Sequence, residues 1–417
     1  MEEFNQAKTV LLKIVNDSIP FALVLKNQFK KGTLEEAQLK HTVSLLIGCE
    51  LRHHLILDNL IERYFEEVEF EKTIFLRFLI VNKLFLKRFD NKYLYNEAIK
   101  ELDKKVVDEL LDFIDSTNEL IPTNLDKSSP EYLSLRFNTP AWIIKMWQKQ
   151  YGKGLVFKVL KANYRHSIPS LRYNEKEIDI EVFLNKHPDF EKTPVEYTLL
   201  FTGKGSPKNI EEVRNNKMFF LKLISKHIAD SLDIDPLKGI AMFTAVPNNT
   251  YLDLVVKYGK DVQMDIITNH GQYYYDVKRT IEKYNYPNIS IYNEEANNIE
   301  TCISKKVHTF IVLARSTAFD LLRSTPDYFL KVKKENLDSI LEEEALTLEE
   351  SSKMVEEGGT LVYMVPTLNR KESTTLVGNF LFKHPEFEMV EDKQCYPFES
   401  LDCCLYYAIL KNNGNAK

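Results

Sequence analysis

From about residue 210 onwards, short apolar runs alternate with amphipathic segments, and this rhythm constrains the fold more than any other feature. The apolar runs predict strands at Gly239–Ala245, Val262–Thr268, Ile289–Tyr292, Thr309–Leu313, Thr360–Val365 and Cys404–Leu410. Helical periodicity predicts intervening helices, among them Tyr273–Tyr284 and Leu337–Val355, and one more helix and turn within Glu372–Phe387. Strands that alternate with helices predict a mostly parallel sheet with helices on both faces.

The first 125 or so residues predict helix throughout. Apolar residues recur at helical spacing in Val10–Val15, Leu39–Leu60, Thr73–Phe85 and Val106–Ile114. Asp115–Pro130 is rich in turn-forming residues and is a candidate linker. Residues 131–163 return to helix, and strand-like stretches follow at Ser170–Asn174 and Glu196–Phe201. We therefore predict three domains: helical at 1–125, a small α+β connector at 126–209, and α/β at 210–417.

Composition excludes several classes of protein. A net charge of -6 rules out a uniformly basic nucleic-acid coat, although a basic patch remains compatible with it. The five cysteines have no metal-binding spacing, and their odd number argues against a secreted disulfide framework. The acidic start MEEFNQAK is unlike a signal peptide, and no apolar stretch approaches the roughly 18 residues of a membrane span. We expect a cytoplasmic protein without a metal site.

Six short motifs follow one another along nearly the whole chain. Four lie in the first half: LLIGCELRHHLILDNLI (Leu45–Ile61), YNEAIKEL (Tyr95–Leu102), LSLRFNTPAWIIKMWQKQYG (Leu133–Gly152) and LKANY…PSLRYN (Leu160–Asn174). Two lie near the end, before the final LDCCLYYAILK: EEGGTLVYMVPTLNRKES (Glu356–Ser373) and FLFKHPEFEMV (Phe380–Val390). Together they resemble the bacterial RsmB family, which makes 5-methylcytosine in 16S ribosomal RNA. The resemblance implies an all-α NusB-like domain, then the α+β connector, then an α/β Rossmann-like class I methyltransferase domain.

The resemblance also implies two catalytic cysteines, and this chain has neither. In the family one thiolate adds to carbon 6 of cytosine, and a second cysteine helps to release the product. Pro366 holds the nucleophile's place in the frame VYMVPT. The family's Asp-Ala-Pro-Cys-Ser-Gly loop matches LARSTA, so Ser316 stands at the second cysteine and Leu313 at the aspartate that would hold the base. We predict no catalytic residues.

The positions that the resemblance assigns to S-adenosylmethionine have changed as well. The family's Ala-Pro-Gly-Gly-Lys-Thr loop, whose glycines let the backbone approach the cofactor, matches AVPNNTY. Pro247 is retained, but Asn248 and Asn249 replace the glycines. The carboxylate at the end of the second strand falls at Thr268, or at Asp265 if the register slips by three. We expect no bound cofactor, with Pro247, Asn248, Asn249 and Asp265 as vestiges of its site.

Cations and aromatic rings are interleaved over about forty residues. The cations are Arg136, Lys145, Lys149, Lys153, Lys158, Lys161, Arg165, His166 and Arg172, and the rings are Trp142, Trp147, Tyr151, Tyr164 and Tyr173. Cations contact phosphates and rings stack on unpaired bases. With the resemblance, this predicts RNA binding, in particular by Arg136, Lys145, Lys149, Lys153, Arg165 and Arg172. Lys26, Lys30 and Lys31 form another basic cluster. In the plainer alternative, the tryptophans are core and the cations are ordinary surface.

Three functions therefore stay open. We favour a noncatalytic ribosomal RNA-binding or assembly factor derived from a methyltransferase. The first alternative is an active 5-methylcytosine methyltransferase with displaced catalytic groups. The second is an interaction module akin to NusB, whose helical domain binds a transcription or ribosomal protein.

Three smaller patterns have structural interpretations. The pair His53-His54 is expected on a polar helix face rather than at a metal. The pair Cys403-Cys404 is expected to be buried as small apolar residues. The glutamates Glu342–Glu344 are expected on the solvated face of a helix.

Overall fold

The computed structural model describes residues 1–29, 32–165, 167–235, 237–399 and 403–414. The chain divides into two compact units: Met1–Arg165 with Leu321–Lys333, and His166–Asp320 with Lys334–Lys417. The predicted boundaries after residues 125 and 209 fall inside these units, so the three-part division stays a prediction. Among the described residues, no helix is long and apolar enough to cross a membrane.

The first unit is helical, as its apolar periodicity predicts. Its main helices are α1 (Glu2–Val15), α2 (Phe21–Gln28), α3 (Leu34–Arg52), α4 (His54–Glu62), α5 (Phe70–Val81), α6 (Asn91–Glu101), α7 (Lys104–Ser116), α8 (Pro130–Phe137), α9 (Ala141–Tyr151) and α10 (Lys153–Asn163). A π-helical turn, Asn82–Leu86, follows α5. Gly152 has φ +82 and separates α9 from α10, a backbone angle that glycine adopts without strain.

The second unit begins with a small antiparallel sheet. It contains β1 (Ser170–Tyr173), α11 (Ile180–Lys186), β2 (Phe190–Lys192), β3 (Thr198–Phe201), α12 (Glu211–Arg214) and β4 (Met218–Phe220). The strand order is β2-β3-β1-β4. The strands β1 and β3 match the predicted strand-like stretches, whereas β2 and β4 have three residues each, too few for alternation to be recognised.

The remainder of the second unit is built on a seven-stranded sheet. In chain order its elements are α13 (Leu223–Ser231), β5 (Ile240–Thr244), α14 (Thr250–Tyr258), β6 (Met264–Thr268), α15 (Gly271–Glu282), β7 (Ile289–Asn293), α16 (Ile299–Cys302), β8 (Val307–Leu313), α17 (Leu321–Ser324, which belongs to the first unit), α18 (Leu337–Lys353), β9 (Val355–Val365), α19 (Thr374–Lys383), β10 (Phe387–Cys395) and β11 (Leu405–Asn412). Short 3-10 turns lie at Pro207–Asn209, Ala296–Asn298, Tyr328–Leu330 and Lys334–Asn336.

The order of the strands in this sheet fixes where a ligand can approach. It runs β10-β11-β9-β8-β5-β6-β7, with parallel pairs from β9 to β7 and antiparallel pairs at β10 and β11. The parallel strands thus have the 3-2-1-4-5 order of a doubly wound sheet, whose switch point lies between β5 and β8. The predicted fold class, a helical domain followed by an α/β Rossmann-like domain, is confirmed. Loops at the carboxyl ends of the strands therefore form the edge where such folds bind ligands.

All six strands that were predicted for this sheet are present, but β10 was missed. Most of its side chains are exposed or half-buried, and charged residues occupy its middle. An edge strand that pairs on one side tolerates such charges, which discourage pairing with another chain. The apolar periodicity that revealed the inner strands is therefore weak here.

Candidate functional site

The positions matched to the family's two cysteines lie side by side at the carboxyl edge of the sheet. Ser316 follows β8, and its Oγ donates a hydrogen bond to the carbonyl oxygen of Pro366, which follows β9, over 3.3 Å. The same Oγ accepts one from the Ala318 amide over 2.9 Å. Leu313 ends β8 and pairs with Met364 of β9. The structure thus brings together Leu313, Ser316 and Pro366, and none of them carries a thiol or a carboxylate.

A buried carboxylate, Glu372, ties the two loops of this edge together. It accepts hydrogen bonds from the Thr317 amide over 2.8 Å and from the Thr317 hydroxyl over 2.8 Å. It also accepts from Thr367 Oγ1 over 2.9 Å and from Asn369 Nδ2 over 2.8 Å. All four of these residues are at most 3% exposed. Because hydrogen bonds to a charged acceptor are strong, Glu372 fixes both loops to each other.

A second buried carboxyl group, Glu344 of α18, lies beside Glu372. Burial and the negative charge of Glu372 raise the pKa of Glu344 to about 11, so it is protonated at neutral pH. The prediction of a solvated face for Glu342–Glu344 is wrong at Glu344, which is 0% exposed. It precedes the buried Thr347 and Leu348 by three and four residues, and this helical spacing could have predicted its burial.

The backbone of the β8 loop retains a glycine-like turn. Ala318 has φ +51, in the left-handed region that glycine adopts without steric cost. In the resemblance, Ala318 stands at the glycine of Asp-Ala-Pro-Cys-Ser-Gly. The conformation therefore agrees with the alignment of this loop, although the side chains have changed.

Three cysteines lie where β10 ends and β11 begins, and none is an exposed, activated thiol. Burial raises the pKa of Cys404, which is 3% exposed. The Cys403 thiol donates a hydrogen bond to Cys395, which raises the pKa of Cys403 and lowers that of Cys395. Cys395 is only 1% exposed, so a substrate has no access to it. The expected burial of Cys403 and Cys404 is confirmed.

The loop after β5 is held by its own asparagine side chains. Asn248 Nδ2 donates to the Val246 carbonyl over 2.8 Å, and Asn248 Oδ1 accepts from the Thr250 amide over 2.9 Å. Asn249 Nδ2 donates to the Phe220 carbonyl over 2.8 Å. None of the residues 245–249, all of which are described, has a positive φ. The loop therefore makes no use of the backbone freedom that two glycines would provide.

A tyrosine that the sequence did not identify as part of the site, Tyr273, is bonded to this loop. Tyr273, in the first turn of α15, donates a hydrogen bond from its hydroxyl to the Asn248 carbonyl. Its ring is 6% exposed and meets the Tyr251 ring edge-on at 6.2 Å. Pro247 is exposed and contributes no polar group. The sequence identifies Tyr273 only as the first residue of a predicted helix, because its hydrogen-bond partner Asn248 lies 25 residues away.

The end of β6 carries a hydroxyl rather than a carboxylate. Thr268 is its last residue, and its Oγ1 accepts from the His270 amide over 3.2 Å. Asp265 lies three residues earlier, about 10 Å along the strand, and its carboxylate accepts from the Tyr292 hydroxyl over 3.3 Å. The slipped register that would use Asp265 is therefore wrong, because that side chain does not reach the carboxyl edge.

The predicted RNA-binding cations divide into two groups. Arg136, Lys145, Lys149, Lys153 and Arg165 belong to the first unit and are exposed. Arg172 is 1% exposed, and its guanidinium contacts Asp253 over 2.9 Å and Glu175 over 2.6 Å. Its inclusion among the RNA-binding residues is wrong, because its charge is neutralised inside the second unit. Lys30, Lys31 and His166 lie outside the described residues.

The aromatic residues of the same stretch also divide. Trp147 and Tyr173 are buried, as the plainer alternative predicted for Trp147, and Trp142 is half-buried. Tyr164 is 46% exposed. The prediction of a polar helix face for the histidine pair is wrong at His54, which is buried and bonded to Glu50.

Comparison with known proteins identifies the relatives of this arrangement. No family model matches the sequence. A Bacillus subtilis (strain 168) protein named as a probable ribosomal RNA small subunit methyltransferase B is 20% identical over 399 residues, which cover 92% of this chain and 88% of that protein. This chain is similar to that methyltransferase B relative over most of its length. The resemblance that was read from the six motifs is confirmed.

Solved structures agree with the fold described above. A crystal structure of a protein called PH0851 matches 97% of this chain and 98% of its own, with a TM-score of 0.78 and 16% identity. The structure of NSun6 from Pyrococcus horikoshii with SFG matches 67% of this chain and 100% of its own, with a TM-score of 0.60 and 12% identity. At these identities the two structures establish the fold of this chain and nothing further.

Proposed function

We propose that this chain binds ribosomal RNA without transferring methyl groups, as a cytoplasmic RNA-binding or ribosome-assembly factor. One observation carries the proposal: at the sheet edge where such folds bind ligands, the side chains form hydrogen bonds to one another and to the backbone. RNA is the ligand class that the curated relative favours, since that protein is named as a ribosomal RNA methyltransferase. The proposal includes a NusB-like helical domain at 1–125, a connector at 126–209, a methyltransferase-like domain at 210–417, and a protein partner for the helical domain.

The cofactor loops support the absence of S-adenosylmethionine. The residues at the ends of β5 and β6 do not fit this group, because Asn248 uses its carbonyl for Tyr273 and Thr268 uses its hydroxyl for a backbone amide. No carboxylate ends β6 to accept hydrogen bonds from a ribose. Each lost charged hydrogen bond costs about 1.5–3 kcal/mol, so two such losses reduce affinity by several orders of magnitude.

The catalytic positions support the same conclusion. Covalent addition to a pyrimidine needs an exposed thiolate within reach of the base. Pro366 and Leu313 have no ionisable group, and the Ser316 hydroxyl is 8% exposed and bonded to backbone groups on both sides. The alternative of displaced catalysis would fall to Cys395, whose burial excludes a base.

Titration calorimetry with S-adenosylmethionine tests the noncatalytic part of the proposal. The Bacillus subtilis relative, purified in the same way, serves as the control for an intact site. We expect measurable heat from the relative and none from this chain at the same concentrations. A micromolar dissociation constant for this chain, or methylation of 16S ribosomal RNA by it, would favour the displaced-catalysis alternative.

Fluorescence anisotropy with 16S ribosomal RNA fragments tests the RNA-binding part. Affinity should fall steeply between about 50 and 200 mM salt, because each neutralised phosphate releases counterions. The triple variant Lys149→Ala, Lys153→Ala, Arg165→Ala should flatten this dependence. A matched triple, Lys204→Ala, Lys305→Ala, Lys306→Ala, removes three exposed cations of the second unit and should leave it unchanged. Absence of binding by the unaltered chain at low salt contradicts the proposal.

A further inference from the structure

Five rings form a continuous row in the first unit, and the sequence pattern identified only one of them. Phe137 meets Phe157 edge-on at 5.8 Å and Tyr164 edge-on at 6.0 Å. Tyr164 meets His53 at 6.3 Å, and His53 stacks on Phe85 at 3.7 Å. The His53 ring is held in place, since its nitrogens bond to the Cys49 carbonyl over 2.8 Å and to the Tyr164 hydroxyl over 3.1 Å.

Three members of this aromatic row are open to solvent. Phe85 is 39% exposed, Phe157 is 43% exposed and Tyr164 is 46% exposed. Single exposed apolar side chains are common on protein surfaces, but rings that touch one another in a line form a contiguous patch. Such a patch is available to a flat, apolar ligand group.

The two helices beside the row, α9 and α10, carry ionisable side chains of one sign. The segment 141–163, which contains α9 and α10, has five lysines and no acidic residue: Lys145, Lys149, Lys153, Lys158 and Lys161. Lys153 and Lys161 lie four residues before and after Phe157 on α10, and so share its helix face. The Arg136 guanidinium lies over the Phe137 ring at 5.6 Å. Cations that flank exposed rings complement a ligand with phosphates and bases.

We propose that the aromatic row is a stacking surface for unpaired bases of an RNA strand whose phosphates contact the lysines of α9 and α10. The inference rests on the proposed function and gives RNA binding a location and a strand type. Every base has a π face, so stacking of this kind tolerates many sequences, whereas a duplex hides its faces. The sequence does not reveal the row, because its five members come from α8, from α10 and from the segments that follow α3, α5 and α10.

The test uses the full chain and a fluorescein-labelled 16-nucleotide RNA, either single-stranded or annealed to its complement. The double variant Phe157→Ala, Tyr164→Ala should weaken single-strand binding at least tenfold, since each stacked ring contributes severalfold or more. Duplex binding and the salt dependence should not change, because the lysines remain. Phe382→Ala, which removes a 90% exposed ring in the second unit, is the matched control and should have no effect.

A second variant separates stacking from apolar contact. Phe157→Leu with Tyr164→Leu retains bulk but removes the rings, and it should weaken single-strand binding as strongly as the alanine pair. Full affinity of the leucine variant, or an equal loss on duplex RNA, overturns the stacking surface. If the alanine pair binds normally while the triple cation variant does not, the inference fails and the proposed function stands. No binding by the unaltered chain refutes both.

Discussion

The carboxyl edge of the sheet and the face of α9 and α10 use their polar groups in opposite ways. At the edge, Glu372 accepts hydrogen bonds from four buried donor groups, and Asn248 is bonded to its own loop. On α9 and α10 the five lysines have no acidic residue within the segment that carries them. Polar groups that satisfy one another stabilise a fold, whereas exposed charges of one sign attract a ligand of the opposite sign. The difference agrees with the proposal that RNA binds at α9 and α10 and not at the edge of the sheet.

The largest expected effect comes from removing the carboxylate that joins the two edge loops. Glu372→Ala leaves the Thr317, Thr367 and Asn369 donors without their acceptor, so we expect unfolding in urea to lose about 3–5 kcal/mol of free energy. Lys149→Ala, at an exposed position of α9, should change the free energy of unfolding by less than about 0.5 kcal/mol. A loss below about 1 kcal/mol for Glu372→Ala would mean that the edge is not held by this network.

A smaller effect should depend on pH. The pKa of Glu344 is raised from 4.5 in the unfolded chain to about 11 by burial and by Glu372, with Glu343 adding to it. The folded chain therefore binds a proton that the unfolded chain releases above pH 4.5, so the free energy of unfolding falls as pH rises towards 11. The slope from this group is at most about 1.4 kcal/mol per pH unit.

Glu344→Gln replaces the protonated acid by a neutral amide of the same shape. In urea titrations, we expect the free energy of unfolding of the variant to increase relative to that of the unaltered chain between pH 6 and pH 9. Glu342→Gln, at an exposed position of the same helix, is the control and should run parallel to the unaltered chain. A difference that stays constant with pH would show that Glu344 is ionised in the folded state.

Removing the backbone strain at Ala318, in the turn after β8, should have a still smaller effect on the free energy of unfolding. Ala318→Gly removes the cost of a left-handed alanine, about 1–2 kcal/mol, but adds freedom to the unfolded chain, so a net gain of about 0.5–1 kcal/mol is expected. Ala345→Gly, exposed on α18, should instead lose about 1 kcal/mol. Equal losses in both variants would contradict the strained turn.

For the last variant, Pro366→Cys, we expect no effect on methyl transfer. Pro366→Cys restores a thiol at the nucleophile's position, but the cofactor loop and Leu313 remain as they are. We expect no transfer of labelled methyl groups to 16S ribosomal RNA, with the Bacillus subtilis relative as the positive control. Detectable transfer would mean that the edge is closer to a working site than its hydrogen bonds suggest.

The sequence predicted regular elements well and side-chain roles poorly. Inner strands such as β5 and β6 are buried along their whole length, so apolar runs reveal them. Burial of a charged side chain outside a helix, as at Arg172 and Glu372, leaves no such pattern in the sequence. Arg172 looked like one more surface cation because its partner Asp253 is 81 residues away. The role of Glu372 is not evident from the sequence, because its donor Thr317 lies in the loop of another strand, 55 residues away.

The assignment of Ser316 and Pro366 to the family's cysteine positions stays a prediction, although the structure brings the two residues together. Ser316 and Pro366 were matched separately to two loops, and they are in hydrogen-bond contact. The hydrogen bonds that now connect the two loops could not be predicted from either motif. The contacts of Tyr273 and Glu344 depend on the depth and direction of neighbouring elements, which only the assembled sheet defines.

The segment Leu321–Lys333, which belongs to the helical unit, sets the order in which the protein can be completed during synthesis. Its Asp327 accepts a hydrogen bond from the Phe21 amide over 3.0 Å, and its Phe329 ring lies 5.4 Å from the His54 ring. A ribosome makes residues 166–320 before it reaches this segment. The first unit therefore stays unfinished until most of the large sheet's strands have emerged. The amino-terminal unit is made first but completes its fold late. A fragment that ends at Arg165 therefore lacks part of the core of this unit.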